Sequence, residues 1–150
     1  MSPRFLCLTL SCCILAMSAP GARASTQTDA ADVRRLMEAY HSAVVGHDGA
    51  RLARLFVPTG NAWFNVLSDP GYAAARAKAP DAPKVRPGTV DGFVGFVSSS
   101  KAKLDPQHSP VTIRTDGAIA SVYFEFRFLI DGKVQNQGSE SWQLVKFADG

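Results

Sequence analysis

Residues 118–147, AIASVYFEFRFLIDGKVQNQGSESWQLVKF, decide the fold. From Ala118 to Ile130 the side chains alternate, with Val122, Phe124, Phe126, Phe128 and Ile130 on one face and Tyr123, Glu125, Arg127 and Leu129 on the other. Period two over this length is the mark of a strand with one buried face. Asp131-Gly132 supplies the residues that a two-residue hairpin turn needs. Lys133 to Phe147 is then the returning strand, with Glu140, Trp142 and Leu144 on one face. Just upstream, Val111 to Thr115 and the turn Asp116-Gly117 add a third strand. Sequential strands usually pair, so an antiparallel meander with one very apolar face is expected.

Ahead of the strands the period is helical. Val33, Leu36, Met37, Tyr40 and Val44 form an apolar stripe, with Arg34, Arg35, Glu38, His41 and Ser42 off it. That pattern predicts an amphipathic helix with Asp29 and Asp32 at its positive end. Gly46 stops it, His47-Asp48-Gly49 turns the chain, and Leu52, Leu55 and Phe56 mark a short second helix that ends at Pro58-Thr59-Gly60. Asn61 to Leu67 (NAWFNVL) reads as a strand. The Ala/Pro-rich stretch from Ser68 to Gly88 reads as a surface insertion, with a short helix at Tyr72 to Lys78. Thr89 caps a helix carrying Val90, Phe93, Val94 and Val97, in which Gly92 and Gly95 mark close packing. Helices followed by a curved antiparallel sheet give an α+β layout.

Met1 to Ala24 has the plan of a secretory signal: Arg4, an apolar run from Phe5 to Met17, and the cleavage pattern Ala22-Arg23-Ala24. A periplasmic or secreted domain at 25–150 is therefore expected, with no membrane attachment after cleavage. Losing Arg4 and Arg23 takes the 16 basic residues to 14 against 13 acidic, so the formal charge falls from +3 to +1. The remaining cations (Arg34-Arg35, Arg51 and Arg54, Lys101 and Lys103) are scattered, which argues against nucleic acid as a partner. All three cysteines, Cys7, Cys12 and Cys13, lie in the same segment. The mature domain is expected to have no disulfide, thiol nucleophile or thiolate metal site.

Three stretches carry a family resemblance: AYHSAVVGHDGARLARLF (39–56), IASVYFEFRFLIDGK (119–133) and QGSESWQLVKFADG (137–150). In this order of elements the chain resembles the NTF2-like superfamily, with its SnoaL-like and ketosteroid-isomerase-like cones. The resemblance implies a sheet wrapped around the first helix, leaving an apolar cavity open at one end. It sets Tyr40, Trp63, Phe124, Phe126, Phe128, Glu140 and Trp142 toward that cavity. It further implies a small, mainly apolar ligand, no cofactor, a homodimer, and a final strand beyond Asp149-Gly150, so that either the sequence stops short of that strand or the sheet ends on an unpaired edge.

In ketosteroid isomerase an Asp base faces an oxyanion hole made of a Tyr and a protonated Asp. The resemblance sets Tyr40 at the Tyr, with Asp48 following, and Glu140 at the protonated acid. The place of the base falls on Phe64, Asn65 and Val66, none of which ionises; Asp69 is the nearest acid, in a turn before Pro70. Isomerisation by that base is therefore not expected. Acid/base chemistry centred on Tyr40 and Glu140 remains, with Trp63, Phe124, Phe126, Phe128 and Trp142 as ligand-binding walls. The alternative is a non-catalytic homodimer with a filled cone and an interface on Tyr123, Arg127 and Leu129.

Other chemistries lack their motifs. There is no G-x-S-x-G, G-x-G-x-x-G, G-K-S/T or H-E-x-x-H. His41, His47 and Asp48 read as solvated surface residues rather than a metal set. His108, between Pro106 and Pro110, reads as a loop residue with no partner.

Overall fold

The computed structural model describes residues 21–148. In chain order the elements are α1 (Gly21–Val45), α2 (Gly49–Ala53), β1 (Trp63–Val66), α3 (Asp69–Lys78), β2 (Val85–Gly88), α4 (Val90–Ser99), β3 (Leu104–His108), β4 (Thr112–Thr115), β5 (Ile119–Ile130) and β6 (Lys133–Val145). Most of the expected signal segment, residues 1–20, lies outside the described residues, as do its three cysteines. Gly21 to Ala24 form the first turn of α1. Because α1 starts there, Asp29 and Asp32 sit inside the helix and not at its positive end.

The main sheet is built on β5. Strand β6 pairs along its whole length on one edge, from Ile119 opposite Val145 to Ile130 opposite Lys133. The other edge takes β4 (Thr112 opposite Tyr123) and then β3 (His108 opposite Phe126). At the β5–β6 hairpin Asp131 and Gly132 both have positive φ, 49° and 77°, as a tight turn of matching twist requires. Strand β3 is one of two strands that the sequence reading missed, the other being β2. Pro106 and Pro110 argue against a strand, yet proline is tolerated on an edge, where one side needs no N–H partner. The interruption between β3 and β4 is repaired locally. Ser109 N donates to Glu125 O at 2.9 Å, and Glu125 N donates to Ser109 Oγ at 3.1 Å.

Two apolar clusters lie along α1. Val33 and Met37 pack with Ala120, Val122 and Phe124, and farther along Ala43 and Val44 pack with Leu52, Val97 and Leu104. In its first half the helix is tied across the fold by an ion pair from Lys146 Nζ to Asp29 Oδ1 at 2.7 Å. At its end His47 N donates to Val44 O and Asp48 N to Ala43 O, with His47 at φ 55°. This is the Schellman pattern, and the left-handed residue is His47, not the expected Gly46. His47 Nδ1 also lies 3.1 Å from Val97 O, tying the turn to α4.

Asp48 then caps α2, accepting from Arg51 N at 2.8 Å. The glycine that permits close helix approach is Gly49, where an added Cβ would lie 1.8 Å from Ser98 Oγ. Gly95 faces open space, and Gly92 meets only its own cap residue, Thr89. The 68–88 stretch is more ordered than expected: Ser68 caps α3, and β2 pairs with β1 in a separate two-stranded sheet. Helix α3 buries no residue. Leu129, expected on the outer face beside Tyr123 and Arg127, is buried; a register shift between Phe128 and Leu129 breaks the alternation there.

Candidate functional site

A cavity of about 30 Å³ opens where the two apolar clusters meet under α1. Met37, Tyr40 and His41 line it from α1, Pro106, Gln107 and His108 from β3, Phe124, Phe126 and Phe128 from β5, and Glu140 and Trp142 from β6. The cross-strand register explains the gathering. Glu140 lies opposite Phe124 on one edge of β5 and His108 opposite Phe126 on the other, so both flank the apolar row of β5. Helical spacing from Met37 brings Tyr40 and His41 over the same floor.

Aromatic contacts fix the walls. Tyr40 stacks on Phe93, with ring centres 6.1 Å apart, and meets Trp142 edge-on at 5.0 Å. Trp142 meets Phe124 edge-on at 5.3 Å, and His108 lies 5.6 Å from Phe124. Trp142 Nε1 donates to Glu140 Oε2 at 2.9 Å. His108 Nδ1 lies 2.8 Å from Ser109 O. A carbonyl oxygen only accepts, so Nδ1 carries the hydrogen and Nε2 is the basic nitrogen of the neutral ring.

Burial sets the electrostatics. It pushes the Glu140 carboxyl above the usual carboxylate range, while the Trp142 N–H and the nearby His108 pull in the opposite direction. The Tyr40 hydroxyl is pushed up as well, first by burial and then by the charge of Glu140. Tyr40 is therefore a hydrogen-bond donor throughout the neutral range, and Glu140 holds its proton more readily than an exposed carboxyl. No Lys or Arg lines the cavity. Among the described residues no group of His, Cys, Asp or Glu is arranged to hold a metal ion. No helix among them is long and apolar enough to cross a membrane.

Of the residues expected at the pocket, Tyr40, Phe124, Phe126, Phe128, Glu140 and Trp142 line the cavity together. Trp63 does not. It lies against Phe93 at 5.0 Å and Phe56 at 6.3 Å, outside the residues that line the cavity. Asp48 serves as a helix cap. Asp69 is exposed and paired with Lys84 at 2.5 Å, which holds its carboxyl below the usual range. Sequence reasoning missed His108 and His41. Had β3 been recognised as a proline-bearing edge strand, its alternation would have set Pro106 and His108 on one face with the inward residues of β5. His41 is one step from Tyr40, at the edge of the helical stripe.

No protein-family model matches the sequence, and no curated protein does. Solved structures do. A variant of a Mycobacterium tuberculosis protein of unknown function superposes with a TM-score of 0.61 at 14% identity, over 87% of this chain and 70% of that one. A proposed dehydratase of the NTF2-like family from Streptomyces avermitilis superposes with a TM-score of 0.52 at 17% identity, over 83% of this chain and 90% of that one. Identities this low speak to architecture alone. Helices packed on a curved antiparallel sheet, a cavity under the first helix and these two likenesses together give the chain the NTF2-like fold.

Proposed function

We propose that the cone binds one end of a small, uncharged, mainly apolar molecule and moves a proton on it through Tyr40, Glu140 and His108, without a cofactor. The observation that carries this reading is the convergence of these three polar groups on one otherwise apolar cavity free of Lys and Arg. A cavity of about 30 Å³ takes a single functional group. The rest of the ligand then lies at the mouth, beside the exposed Gln107 and His108.

The chemistry that suits these groups acts next to a carbonyl. His108 Nε2 takes a proton from the adjacent carbon, while the Tyr40 O–H, and Glu140 in its protonated form, donate hydrogen bonds to the carbonyl oxygen as it gains charge. Returning the proton to a different carbon gives an isomer. Expelling a β-hydroxyl as water, with a proton from Glu140, gives an alkene. The first test is binding of cyclohexanone, a neutral ring with one carbonyl, followed by NMR. The Trp142 indole signal should shift, and Tyr40→Phe should abolish the shift; an unperturbed indole signal contradicts the reading.

The small cavity also favours a second reading, a cone filled by its own side chains in a non-catalytic domain. The exposed outer face, with Ile119, Tyr123, Arg127 and Val145, would then pair with a second copy. Sedimentation at micromolar concentration tests it: a strict monomer removes this reading. Export, with a mature chain starting at Ser25, is a separate proposal that the intact mass of the natural product tests.

A further inference from the structure

We propose that Trp142 is the positioning residue of this cavity: its indole N–H holds one oxygen of Glu140 while its ring closes edge-on against Tyr40, so that carboxyl and phenol face the same space. The proposal rests on the reading of the cavity as a proton-transfer site and specifies how that site is kept in order.

The geometry assigns the task to one side chain. Trp142 and Glu140 stand two residues apart on β6, which sets them on the same face of the strand. The 2.9 Å bond takes Oε2, and Oε1 has no hydrogen-bond partner among the described residues. The same indole meets Tyr40 at 5.0 Å and Phe124 at 5.3 Å, and Phe124 in turn meets His108 at 5.6 Å. Trp142 thus touches two of the three polar groups directly and reaches the third through one ring. The titratable groups that share the cavity with Glu140 are Tyr40 and His41 from α1 and His108 from β3; β5 presents only Phe124, Phe126 and Phe128. Among the described residues no other donor is bonded to Glu140, so the indole N–H fixes its rotamer and, together with the nearby His108, favours its charged form. Trp142 therefore also lowers the pH at which Glu140 gives up a proton, against the burial that raises it.

The test follows the Glu140 carboxyl carbon and the Trp142 indole proton by NMR across a pH titration of the whole chain. In the wild type both signals should titrate with one midpoint. Trp142→Phe keeps an edge contact to Tyr40 but removes the N–H, and the Glu140 midpoint should move upward while the Tyr40 ring signals hold. An unchanged midpoint overturns the proposal. If that variant fails to fold, Glu140→Gln decides: the indole proton should stop titrating, and an indole proton that never followed Glu140 in the wild type overturns the proposal equally. No ligand is used, so coupled titration without cyclohexanone binding removes the proton-transfer reading and leaves the role of Trp142 standing.

Discussion

Trp142 and Glu140, two residues apart on β6, share a hydrogen bond of 2.9 Å from indole Nε1 to carboxylate Oε2 at the wall of the cavity. The bond sits where burial disfavours charge, so the carboxyl is held in place by a donor and pushed toward its neutral form by its surroundings. Both effects can be measured.

The pH dependence follows from the raised Glu140. A carboxyl whose folded value lies above its unfolded one binds more protons in the native state between the two values. Its stabilising effect is complete below the ordinary carboxylate range and is lost as the pH rises through the folded value. Glu140→Gln keeps an acceptor for Trp142 and cannot ionise. Its thermal midpoint should exceed that of the wild type at pH 8, and the gap should close toward pH 4. A gap that does not change with pH contradicts the assignment.

Asp48 closes α1 and starts α2, with its side chain on Arg51 N at 2.8 Å. Asp48→Ala should cost about 1 kcal/mol of stability by denaturant unfolding, the usual value of an N-cap. Cyclohexanone binding should not change, because Asp48 takes no part in the cavity. Loss of binding in a folded variant would restore Asp48 to the site.

Gly49 lets α2 approach α4, and a methyl there would meet Ser98 Oγ at 1.8 Å and Val94 Cγ1 at 3.2 Å. Gly49→Ala should destabilise by about 1–3 kcal/mol, as overpacking does. Gly95→Ala, facing open space within a helix, should gain stability by about 1 kcal/mol. Paired urea melts give both signs.

Leu104 is fully buried at the start of β3. Leu104→Ala should cost about 2–5 kcal/mol, the range for a buried leucine. Since β3 carries His108, binding at the cavity should weaken in step with the loss of stability. A mild effect on both would show that β3 is not anchored there.

Much of this was legible in the sequence because local and global signals agree. The alternation of β5 and the Asp131-Gly132 turn specify the hairpin, but the turn's own register would set Ser139 opposite Phe124; the register shift between Phe128 and Leu129, which no residue pattern announced, is what sets Glu140 and Trp142 on the face of Phe124. The stripe through Val33, Met37 and Val44 sets Tyr40 against the sheet. What was hidden depended on tertiary context overriding local preference. Leu104 to His108 carries a proline that is acceptable only at an edge, and an edge is defined by pairing with β5. His108 disappeared with its strand. Trp63 could not be assigned from sequence because an aromatic at the start of a strand is apolar in either location; it packs against Phe56 and Phe93 and is not among the lining residues. His47 adopts the left-handed conformation beside a glycine that would adopt it more cheaply, and its contact with Val97 O is what singles it out.

The central claim is that Tyr40, Glu140 and His108 move a proton on a small neutral molecule. Its most direct test is exchange of the hydrogens beside the carbonyl of cyclohexanone in deuterated buffer, followed by NMR with and without the protein. The account predicts exchange faster than buffer alone, reduced about tenfold or more in His108→Ala and in Tyr40→Phe. Exchange no faster than buffer, or exchange unaffected in both folded variants, would contradict it.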